Sequence, residues 1–122
     1  MVAPDSTLRY RCEAVKLARA MLSGELGLLE GSIRLASLAY AIDPDWTKDP
    51  DFAVISSIAD DIDHLPFGSA RENWNEASLA RADADIERIT QLVRDEVMVA
   101  CQNIIARFDD PSLGTLENRR AV

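Results

Sequence analysis

Residues 79–108 read LARADADIERITQLVRDEVMVACQNIIARF, and this stretch decides the fold. Its apolar members Leu79, Ala82, Ile86, Ile89, Val93, Val97, Cys101, Ile104 and Phe108 recur at intervals of three and four. That spacing puts them all on one face of an α-helix, where a strand would need alternation. Asn75 or Ser78 can cap its start, and Asp109-Asp110-Pro111 breaks it. The sequence therefore predicts one long amphipathic helix, and the rest of the chain must supply its cover.

Upstream, Asp49-Pro50 is a strong helix start, with aspartate as N-cap and proline at the first helical position. Phe52, Ile55, Ile58, Ile62 and Leu65 follow at helical spacing, and His64-Leu65-Pro66-Phe67-Gly68 closes the segment. Further back, Leu22, Leu26, Leu29, Ile33 and Tyr40 form an apolar stripe that Leu28, Leu35 and Ile42 widen, ending at Asp43-Pro44-Asp45. A face so broad predicts a central helix. The first helix starts near Asp5 or Ser6 and buries Leu8, Cys12, Val15 and Leu22, with Arg9, Arg11, Lys16 and Arg19 mostly off that face. A bend is expected at Ser23-Gly24. Ala20, Gly24, Gly27 and Gly31 read as a row of small residues for close helix packing, because glycine costs about 1 kcal/mol against alanine inside a helix. The expectation is all-α: a compact bundle of about four main helices, some broken, in one domain spanning 1–122. Its ordered core should run from 5 to 108, with a frayed tail from 109 to 122.

Composition narrows the class. At 122 residues and 48% hydrophobic content, the chain can bury one core and is not of the disordered type. No apolar run approaches the roughly 20 residues that span a bilayer, and the first residues carry no export pattern, so the expected location is the cytoplasm. Two cysteines, Cys12 and Cys101, sit within helical apolar patterns and form no metal-binding spacing. The net charge of −8 is concentrated. Between Asp43 and Glu87, twelve acids face three bases, leaving the remainder of the chain slightly positive. Such a band repels nucleic acid and anionic lipid and attracts a cationic partner.

Two groups of residues are candidates for a site. The first is a partner-binding set, Asp45, Trp46, Asp49, Asp60, Asp61 and Asp63. Negative charge suits a helix start, but Asp60, Asp61 and Asp63 fall near a helix end, where the dipole opposes them. Trp46 is either a satellite core contact or an interface anchor. The second is a ligand cluster of Glu25, Glu30, Arg34, Asp63, His64, Arg71 and Trp74, in which charges would meet where helices cross. With a single histidine, a di-metal helical centre is excluded on ligand count. No nucleophile motif accompanies His64, and Cys101 lies on the apolar stripe, so no catalytic residue, metal or cofactor is assigned.

Gly24-Glu25, Leu28 to Ser32, Arg34 and Leu35, taken with Asp63-His64-Leu65-Pro66, Gly68, Arg71 and Trp74, form a pattern that Ala100-Cys101 and Arg107-Phe108 extend. On these residues the chain resembles a family of small, uncharacterised bacterial helical proteins. Ile33 stands where that pattern leads one to expect a small residue. Proteins of this sort sometimes serve as immunity partners of secreted toxins. The resemblance thus implies a non-enzymatic binding protein that neutralises a basic toxin, such as a nuclease, through its acidic surface. A small-ligand or metal-binding helical domain and a homodimer packed through the glycine row are the alternatives.

Overall fold

The computed structural model describes residues 4–109, with side chains from Thr7 onward. Of the frayed tail expected at 109–122, all but Asp109 lies outside the described residues, as do the side-chain caps expected of Asp5 and Ser6. Four helices carry the fold: α1 (Pro4–Ser23), α2 (Leu28–Ile42), α3 (Pro50–Asp61) and α4 (Glu76–Phe108). Two short 3-10 turns, Trp46–Lys48 and Gly68–Asn73, lie in the connections. Among the described residues there is no strand, and no helix is long and apolar enough to cross a membrane.

The start signals act as the sequence predicts. Asp49 caps α3 by accepting hydrogen bonds from the amides of Asp51 (3.0 Å) and Phe52 (3.3 Å), with Pro50 at the first position. Asn75 caps α4 by accepting from the Ser78 amide at 2.7 Å. Gly24, at φ +88°, turns the chain out of α1, a conformation that side chains rarely tolerate.

Contacts between elements give the chain directions. Arg11 of α1 lies over the ring of Phe108, and Met21 near the other end of α1 touches Cys101, so α1 and α4 are antiparallel. Asp49 and Asp51 at the start of α3 meet Arg107 and Asn103 near the end of α4, so that pair is antiparallel too. The result is an up-down-up-down bundle around one core. At 1.5 Å per residue, α4 is about 50 Å long against about 30 Å for α1. Its first half therefore projects past the α1–α2 turn. Between Ala82 and Val97 no residue of α4 is fully buried, and the Arg71–Asp83 ion pair ties the projecting part to the 3-10 turn before it.

Three expectations about packing are corrected. The buried face of α1 centres on Ala14, Val15, Ala18 and Met21, with Leu8, Cys12 and Leu22 on its flank. Alanines at the centre let α1 sit close to both α2 and α4. On α2 the buried line is Leu28, Ser32, Leu35, Ala39 and Ile42, and Tyr40 stands 71% exposed. The buried Ser32 is satisfied because its hydroxyl donates to the Leu28 carbonyl at 2.7 Å. The glycine row is not a helix face. Gly24 and Gly27 lie in the turn, and Gly31 alone makes the close approach, where a Cβ would overlap the side chain of Met21.

Candidate functional site

The most extensive polar cluster joins α3 to α4. Arg107 donates two parallel hydrogen bonds to Asp49, at 3.0 and 2.5 Å, and a third to Asp51 at 3.1 Å. Asn103 donates to the other oxygen of Asp51 at 3.0 Å. The Arg107 guanidinium also stacks 4.8 Å from the centre of the Phe108 ring, which packs against Phe52. Burial pushes the Asp49 carboxyl up, but the hydrogen bonds and charge of Arg107, with the Phe52 and Asp51 amides, outweigh it and hold the group below its ordinary range. The same pairing raises Arg107. Asp49 was expected to face a partner. Instead it is buried and committed twice over, as a helix cap and as half of a clasp.

Trp46 is half-buried and packs against the core, so it acts as a satellite of that core. Asp45 is exposed, its amide donating to Asp43 at 2.9 Å. These residues lie at the start of α3, while Asp60, Asp61 and Asp63 lie at its end, about 18 Å away along the 12-residue helix. The acidic set expected as one surface is thus split in two.

The end of α3 remains as a coherent acidic surface. Asp60 and Asp61 occupy its last two positions, Asp63 follows after Ile62, and all three are exposed. No basic residue lies in the last turn. None of the three takes a hydrogen bond or an ion pair from any described residue, while acids elsewhere do: Asp83 binds Arg71 at 2.8 and 3.0 Å, and Asp85 binds Arg88. Three carboxylates thus stand together at the negative end of a helix dipole with nothing to offset them. In solvent, such a group can attract a cationic surface.

The second candidate group is not drawn to one point. Glu30 pairs with Arg34 four residues on, at 3.7 Å on the surface of α2. Arg71 donates to Asp83 and, at 3.4 Å, to the Pro66 carbonyl; the hydrogen bonds and charge of the Arg71–Asp83 pair raise the arginine and lower the aspartate. Glu25 and His64 are exposed, and Trp74 is 37% exposed at the end of its 3-10 turn. Among the described residues, no group of three or more histidine, cysteine, aspartate or glutamate side chains is placed to hold a metal ion. Cys101 is fully buried on α4, its thiol donating to the Met21 sulfur at 3.8 Å, and desolvation pushes its pKa up to about 11.

The Asp49–Arg107 clasp was not legible in advance, because its members are 58 positions apart. In the sequence, Arg107 figured only in the pattern on which the family resemblance rests. No curated protein and no solved structure matches the chain. A family model does match, over residues 9–104, and its description is a protein of unknown function, DUF2489. That match takes in α2, α3 and most of α1 and α4, and the chain belongs to the DUF2489 family.

Proposed function

We propose that this chain is an immunity-type binding protein that neutralises a basic bacterial toxin by covering its cationic active-site cleft. A nuclease is the toxin class that fits best, since its substrate is a polyanion and its cleft is correspondingly positive. The observation that carries this reading is the unpaired trio Asp60, Asp61 and Asp63 at the end of α3. Charges at that position cost the isolated fold stability, and a cationic partner would recover the loss on binding.

The mechanism requires no chemistry by this chain. The acidic end steers the partner in, speeds association and occludes its substrate site. Asp45 is a second exposed acid in the connection before the start of α3, which a partner covering the whole helix would also reach. Asp49, held in the Arg107 clasp, and Trp46, packed on the core, lie at the opposite end of α3 from the trio and are not among the contacts of this reading.

The test is binding of a purified basic toxin domain to the wild type and to the variant Asp60→Asn/Asp61→Asn/Asp63→Asn. The reading expects slower association for the variant, a shallower salt dependence and loss of toxin inhibition. Equal affinity and equal inhibition would refute the electrostatic mechanism.

A further inference from the structure

We draw no further inference here: the strongest candidate, the outer face of α4 on which Leu92 and Val99 stand exposed, carries none because nothing in the structure shows what covers it.

Discussion

Arg107 holds Asp49 through two parallel hydrogen bonds, and in doing so locks the last turn of α4 to the first turn of α3. The aspartate side chain is 7% exposed and the arginine 41%, so the pair is dry on one side and wet on the other. Solvent screening at Arg107 keeps the ionic part modest, while the cap part is local and unscreened. Asp49→Ala should therefore cost about 2 kcal/mol, half of it from the lost cap. Asp49→Asn, which keeps an oxygen for the Asp51 and Phe52 amides, should cost about half as much. Urea denaturation of the two variants checks this. The pH dependence has a definite sign. Because the folded-state pKa of Asp49 is lowered, its stabilisation is present above about pH 4 and is lost as pH falls through the folded value. Asp49→Asn should flatten the acid limb of the stability curve.

Gly31 and Met21 give a second prediction. An added methyl group at Gly31 would gain up to about 1 kcal/mol of helix propensity. It would also drive into the buried Met21 side chain, and overpacking of that kind costs about 1–3 kcal/mol. Gly31→Ala should thus be destabilising by about 1 kcal/mol in the wild type, but neutral or stabilising in a Met21→Ala background. Thermal melts of the four variants in the cycle decide it. Gly27→Ser, at an N-cap facing open space, should instead be neutral or slightly stabilising.

Cys101 should behave as a core residue. With its pKa near 11 and its side chain fully buried, it presents almost no thiolate at pH 8. Iodoacetamide labelling followed by mass spectrometry should modify it only at the rate of unfolding, and fully in denaturant. The raised pKa stabilises the fold below about pH 9, and that contribution should fade as pH rises towards 11.

The acidic end of α3 is expected to trade stability for binding. Replacing Asp60, Asp61 and Asp63 with asparagine should stabilise the isolated protein by about 1 kcal/mol at low ionic strength, since each like charge at a helix C-terminus costs a few tenths. At about 1 M salt, where the screening length is about 3 Å, the gain should largely disappear. Melting temperatures at the two ionic strengths measure this directly.

The helices were legible because each announces itself locally. Asp49-Pro50 and Asn75 are caps, Gly24 is a stop, and the stripe from Leu79 to Phe108 has a single period. Rotational detail was less legible. The stripe on α1 ran through Leu8, Cys12 and Leu22, yet Ala14 and Ala18 are at its buried centre, because the helix is squeezed between two neighbours and small side chains go where the axes come closest. Alanine carries little hydrophobic weight in a periodicity, so the true face was hidden. Gly24, Gly27 and Gly31 misled for a different reason: their spacing was helical, but the first two lie outside any helix. The candidate site was half legible. Sequence alone showed that Asp60, Asp61 and Asp63 sit at the wrong end of a dipole. That Asp49 belongs to Arg107, and Arg71 to Asp83, depends on helix registry that no local pattern encodes.

The most direct test of the acidic-surface account is capture from the native organism, with the tagged wild type and the Asp60→Asn/Asp61→Asn/Asp63→Asn variant run in parallel at low and high salt. The account predicts that the wild type retains one basic protein at low salt and loses it at high salt. It predicts that the variant retains none, and that the captured protein is toxic until the wild type is added back. Retention of the same partner by both proteins at both salt concentrations, or a captured protein whose activity the wild type leaves untouched, would contradict it.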